Sequence, residues 1–351
     1  MATLDTIVCT ASNMGTSDIL IAAGVPVRFR IDGSLVDAND QPLTPEETEA
    51  LSREAIGDEV EQVMNGVEVD TAITFSNGVR CRLNIYRSMG HACMAIRLLA
   101  NKIPDLDSLG VPPVVAHDFP NYQRGIVIVT GETGSGKSTT LAALVDKINH
   151  SRPDHIVTFE DPIEYVYQPD RCSIDQREIG RDTASFAEGL RAVLRQDPDV
   201  ILIGEMRDLA TIETALTAAE TGHLVFGTLH TQSAPDSIDR LVDVFPEERQ
   251  RQIRLQLSMT LKAVVSQQLI KRREGKGRVL AAEVMIVNPA IKNLIREGKT
   301  PQIANTLATS AELGSITMDR ALQQLVRSRT ISAADAIEAA HDPEQMRRTV
   351  R

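Results

Sequence analysis

The stretch 124–138, RGIVIVTGETGSGKS, decides how the rest of the chain is read. Its first half is a short run of β-branched apolar residues, the pattern of a strand buried on both faces. Its second half, GETGSGKS at 131–138, fits G-x-x-x-x-G-K-[ST]. Gly131, Gly134 and Gly136 allow a backbone to wrap round a phosphate with its N–H groups aimed inward, and a helix starting there adds the positive end of its dipole. Lys137 brings a point charge to the β- and γ-phosphates, and the Ser138 hydroxyl is placed to ligate Mg2+. A tight glycine turn without a ligand would use similar letters, but it would not need a buried strand before it and a helix after it. The predicted ATP-binding set is therefore Gly131, Glu132, Thr133, Gly134, Ser135, Gly136, Lys137, Ser138 and Thr139, with Mg2+ on Ser138.

Downstream, HIVTFED (155–161), VILIG (200–204) and HLVFGTL (223–229) are further apolar runs of strand length. Helical patterns lie between them: 137–149, TASFAEGLRAVLRQ (183–196) and DLATIETALTAAE (208–220). Strands alternating with helices predict an α/β fold with a parallel sheet and crossover helices. From Ser237 onward the pattern predicts mostly helix, broken by one strand over RVLAAEVMIV, 278–287. Upstream, ANKIPDLDSLGVPP (100–113) reads as a linker, because X-Pro pairs disfavour helix. It separates a first domain, 1–99, from a second, 114–351. In the first, GVPVRFRIDGSLV (24–36) predicts two strands around an Asp32-Gly33 turn. LTPEETEALSREAI (43–56) predicts a helix with Thr44 as N-cap and Pro45 at its first position. VRCRLNIYR (79–87) alternates strictly, with Val79, Cys81, Leu83 and Ile85 on one face, and MAIRLL (94–99) predicts a further strand.

At 351 residues the chain is long enough for two domains. With 42% hydrophobic and 24% charged residues it has globular, not disordered, composition. Aromatics are 3% with no Trp, which argues against a base-stacking platform. The balance of 37 basic against 48 acidic residues, net −11, is unsuited to non-specific nucleic-acid binding, so no nucleic-acid partner is expected. Cys9, Cys81, Cys93 and Cys172 form no C-x-x-C pair, which excludes the usual zinc spacings and suits a reducing compartment. The opening carries no basic n-region and no apolar run approaches 18 residues, so a cytoplasmic protein without a membrane span is expected.

Four groups of side chains are catalytic candidates. DPDVILIGEMRD (197–208) is an apolar run ending Gly204-Glu205, with no Asp before the acid. Glu205 is the first choice to orient or activate an attacking water and to reach Mg2+ through water. FEDPIEY (159–165) offers Glu160, Asp161 and Glu164, a cluster that calls for a cation or Arg partners. ETGHLVFGTLHT (220–231) carries His223 and His230 at the ends of one strand, with His230 a candidate to sense the γ-phosphate. Arg82, Arg87, Arg97, Arg191, Arg195 and Arg207 are candidates to act on a neighbouring subunit's phosphates. Arg191 and Arg195 share one predicted helical face just before the Glu205 strand.

Together GETGSGKS, TFEDPIE, DPDVILIGEMRD and TGHLVFGTLHT resemble the secretion ATPase superfamily that powers type II and type IV secretion and pilus assembly. Within it the chain is most similar to the type IV pilus retraction ATPases. The four motifs would be the Walker A loop, the Asp box, an atypical Walker B that lacks the preceding Asp, and the His box. SDILIAAGVPVRFRIDG (17–33) resembles the family's PAS-like N-terminal domain, and 265–303 its helical C-terminal region, so a PAS-like α+β domain is expected before a RecA-like P-loop NTPase domain whose helical subdomain spans about 235–351. AIKNLIRE (290–297) resembles a signature associated with retraction, with Lys292 where that signature has Arg; Leu20 stands where relatives often have His. No zinc-binding Cys cluster interrupts the chain, which favours the retraction type. The resemblance implies a homo-oligomer, a hexamer, that hydrolyses ATP with Mg2+ and drives pilus retraction and twitching motility. It would lie in the cytoplasm, peripheral at the inner membrane, attached only through an inner-membrane pilus platform protein. The alternative is a pilus extension or type II secretion ATPase, or a paralogue of the retraction motor.

Overall fold

The computed structural model describes residues 3–31, 33–99, 102–275 and 277–350. It divides into two compact units: residues 1–102 with 162–166, and residues 103–161 with 167–351. The five residues Pro162–Val166 thus belong with the first unit, although the chain around them belongs to the second.

The first unit is built on six strands: β1 Asp18–Ile21, β2 Arg28–Ile31, β3 Ser34–Asp37, β4 Val69–Thr74, β5 Arg80–Ser88 and β6 His91–Leu98. They form one antiparallel sheet in the order β3-β2-β1-β6-β5-β4. The predicted alternation holds, since Cys81, Leu83 and Ile85 are buried while Arg82 is exposed. Leu4, Val8 and Ala11 of helix Leu4–Asn13, and Leu51 of helix Pro45–Ile56, pack in the same core as Ile19, Phe29, Leu83 and Ile96. Thr44 caps the second helix in a full capping box: its hydroxyl accepts from Glu47 N–H, and the Glu47 carboxylate accepts from Thr44 N–H at 2.8 Å. Asp32 of the predicted turn, and residues 100 and 101 of the predicted linker, lie outside the described residues. The result is the mixed α+β, PAS-like domain expected.

The second unit carries seven strands: β7 Gly125–Thr130, β8 His155–Glu160, β9 Ser173–Glu178, β10 Val200–Ile203, β11 Leu224–Leu229, β12 Leu261–Lys271 and β13 Arg278–Ile286. Their order is β13-β12-β7-β11-β10-β8-β9, parallel from β9 to β12, with β13 antiparallel on the edge. From β7 the chain crosses over the places of β11 and β10 to reach β8, and only later adds β12 on the other side. Such a switch of direction opens a crevice at the carboxyl ends of the strands. This is the RecA-like α/β arrangement. Every residue of β7 and β11 is buried. Ile126, Ile128, Val157, Ile201 and Val225 share a core with Ile212 and Leu216 of helix Leu209–Glu220 and with Leu257 of helix Glu247–Thr260.

Two strands correct the sequence reading. β12 was expected to be helix, as part of the helical stretch after Ser237. It is an eleven-residue strand. Its polar Ser266 and Gln267 are buried between β7 and β13, and they interrupt the apolar run that would have marked it. β9, SIDQRE, pairs with β8 along one side as an edge strand, so its polar letters carry no core signal. Beyond the sheet the chain is helical as expected. Buried Glu283 of β13 joins two of these helices, accepting from Ala234 N–H at 2.9 Å and Met318 N–H at 3.3 Å at their first turns. Burial raises its pKa. No described helix is long and apolar enough to cross a membrane.

Candidate active site

The chain leaves β7 at Thr130 and turns through Gly131, Gly134 and Gly136, at φ +142°, +80° and +93°. These values suit glycine and strain other residues. At Gly131 space adds to the constraint: a Cβ there would run into the Gln267 carbonyl oxygen and lie 2.7 Å from Ser135 Oγ. Helix Lys137–Ser151 then begins with Gly136 at its cap and no side-chain cap bond. An open helix start of this length is an anion site by construction. Lys137 Nζ donates to Gly131 O at 2.7 Å and Glu132 O at 3.0 Å, so the ammonium is folded over the loop it serves. Ser138, the second residue of the helix, is exposed. The glycine conformations, the uncapped helix start and the lysine together fit a nucleotide's phosphates.

Around the loop the strand ends are knitted together. Gly204 N–H donates to Phe159 O at 2.7 Å, the Thr228 hydroxyl donates to Gly204 O, and Met206 N–H donates to Thr228 O at 3.1 Å. The carboxyl ends of β8, β10 and β11 are thereby aligned, and β11 runs in register with β7 up to Leu229 opposite Thr130. Glu205 and His230, chosen separately from sequence, meet here: His230 Nε2 lies 3.0 Å from Glu205 Oε1. The Arg207 guanidinium pairs with the same oxygen, and that bond raises the Arg207 pKa. Glu160 ends β8, accepting from the Thr158 hydroxyl at 2.6 Å and the Gln176 amide at 3.2 Å. Asp161 follows it and is exposed.

The other candidates sit on other elements. Glu164 falls in 162–166, the segment that belongs to the first unit. Arg195 is exposed and follows helix Phe186–Val193, five residues before β10 begins. That is the amino-terminal edge of the sheet, opposite the loop, so Arg195 does not join the residues around it. His223 immediately precedes β11 at the same far edge, where Nδ1 lies 2.8 Å from Ala218 O. Arg82 and Arg97 sit on strands of the first unit, paired with Asp70 at 3.7 Å and Asp18 at 2.9 Å; Arg87 is exposed there. AIKNLIRE forms helix Pro289–Glu297 with Ile291 and Ile295 buried and Lys292 half-buried.

Sequence reasoning missed a hydroxyl relay. The Thr130 hydroxyl donates to Thr231 O at 2.6 Å, Thr231 Oγ1 lies 2.7 Å from Ser237 Oγ, and the Gln232 amide donates to Glu132 Oε1 at 3.0 Å. It ties the loop to the exit of β11. The letters HTQS after a buried strand were its only signal. A cavity of about 850 Å³ opens beside Gly131–Ser135, walled by Gln267, Leu269 and Arg278.

Residues 1–348 match the family model described as Type II/IV secretion system protein. The chain is 45% identical to the "Type IV pilus retractation ATPase PilT" of Pseudomonas aeruginosa over 335 residues, covering 95% of this chain and 97% of that protein. It is 46% identical to a "Twitching motility protein" of Neisseria gonorrhoeae over 305 residues, covering 84% and 81%. Its fold is similar to the crystal structure of the pilus retraction motor PilT with bound ADP, with a TM-score of 0.92 and 44% identity over 99% of this chain and 100% of that one.

Proposed function

This chain belongs to the Type II/IV secretion system protein family, and from that premise we propose that it is an ATP-hydrolysing motor of type IV pilus retraction. The observation that carries the reading is the cradle itself: Gly131, Gly134 and Gly136 at positive φ, an uncapped helix start, and Lys137 over the loop. The ADP-bound retraction motor of the same fold supports it, as do the names of the two relatives.

The phosphates of ATP would lie on the N–H groups of 134–139, with Lys137 swinging from the loop carbonyls to the β- and γ-phosphates. Ser138 would hold Mg2+, with Glu205 reaching it through water; the ion's contribution is to neutralise charge on the phosphates. Glu205, partnered by His230, would orient the attacking water and take its proton. His230 would then register loss of the terminal phosphate, and the Thr130–Thr231–Ser237 hydroxyls would pass that on to helix Ala234–Asp243. Glu160 would support the same edge. Arginines from a neighbouring subunit would complete the site in a homohexamer. That ring would act on an inner-membrane pilus platform protein and sit peripherally at the cytoplasmic face.

Phosphate release and equilibrium nucleotide binding test the reading, with size determined by light scattering with and without ATP. Lys137→Ala is expected to lose affinity and turnover together. Glu205→Gln is expected to keep affinity and lose turnover by about 100-fold or more. Near-normal turnover in Glu205→Gln would move the water-orienting role to another acid, and a wild type that neither binds nor cleaves ATP would end the reading. In a deletion strain, surplus surface pili would mark a retraction motor and missing pili an extension motor.

A further inference from the structure

Gln267 is a polar residue in the middle of a buried strand, 1% exposed, where an aliphatic side chain would be cheaper. Its neighbour Ser266 pairs with Thr130, the last residue of β7, so Gln267 lies level with the start of the cradle. Its main-chain oxygen is the atom that forbids a Cβ on Gly131. Its side-chain nitrogen donates to Thr140 Oγ1 at 2.8 Å, in the first turn of the cradle helix, and Thr140 is 2% exposed. Its side-chain oxygen has no partner. Neither does the hydroxyl of Ser135, which is 6% exposed and lines the same cavity. Ser135 Oγ and the Gln267 main-chain oxygen both crowd the single point where Gly131 would carry a Cβ. Gln267 thus touches the cradle at two places, its turn through the main-chain oxygen and its helix through Thr140.

We propose that Gln267 is a positioning residue for nucleotide binding: from β12 it anchors the cradle helix through Thr140 and so holds the loop in the shape that takes phosphate. This rests on the ATP-binding reading above. It adds a grip on the loop from β12, behind the phosphates, that none of the sequence motifs contains. Gln267 touches no phosphate itself, so its effect falls on affinity and not on the chemical step.

The test uses Gln267→Leu, Thr140→Val and the double variant of the full chain, with Mg2+·ATP in a phosphate-release assay and a fluorescent ADP analogue for equilibrium binding. Gln267→Leu should raise KM and the analogue's Kd about ten-fold, the weight of one shared buried hydrogen bond, with kcat within two-fold. Thr140→Val should weaken affinity in the same direction, and the double variant should be no weaker than the weaker single. Should Gln267→Leu fail to fold, Gln267→Met, of matching length, takes its place. Wild-type KM in the Gln267 variant, a fall in kcat alone, or multiplying effects in the double variant would overturn the proposal. A wild type that binds no nucleotide would instead overturn the reading beneath it.

Discussion

Gly131 carries two constraints at once, a φ of +142° and a carbonyl oxygen of β12 where a side chain would go. Backbone strain of this kind costs about 1–3 kcal/mol per residue. Gly131→Ala is therefore expected to lower the thermal midpoint by several degrees and to weaken nucleotide binding. A Gly134→Ala control should do less, because at Gly134 only φ is demanding and nothing lies within 4 Å. Calorimetry and nucleotide titration on the two variants check the order. The contrast shows what a motif letter hides: the same glycine in the same motif is required for conformation at one place and for room at another. The glycines, Lys137, Glu205 and His230 were legible as candidates because each is a chemically distinctive letter. Thr130, Thr231, Ser237 and Gln267 were not legible, because their bonds are to neighbours brought close only by the fold.

At the level of elements, the strands that were legible are those buried on both faces. β7, β8, β10 and β11 read as unbroken apolar runs because crossover helices cover them. β9 and β12 were illegible for opposite reasons: β9 is a polar edge, and β12 buries polar side chains for bonds to other elements. The β8–β9 edge also has a titratable fastening. His155 Nε2 lies 2.9 Å from Asp175 Oδ2, while Nδ1 faces the Gln196 and Asp197 carbonyls at 3.1 and 3.2 Å. With acceptors on both sides, the ring is satisfied only when both nitrogens are protonated. Burial pulls its pKa down, but the Asp175 and carbonyl bonds outweigh burial and the net direction is up from 6.5. A histidine raised in the folded state adds stability that is whole below its unfolded value and lost as pH rises through the folded one. The urea midpoint of the wild type is therefore expected to drop between pH 6 and pH 8. His155→Gln should flatten that slope; an unchanged slope would show that other groups set it.

Across the whole molecule, the covalent path and the packing disagree. The backbone passes from the first unit to the second after Lys102, returns for Pro162–Val166, and leaves again. The returning stretch is held by a bond from Arg80 Nε to Ile163 O at 2.8 Å. Lys102 is exposed, so trypsin has a clear target there. Severing that peptide bond should not free the smaller piece. Five residues of the larger piece stay threaded into it like a clasp, and the nicked halves are expected to co-elute on gel filtration until denaturant is added. Separation without denaturant would mean the clasp does not hold.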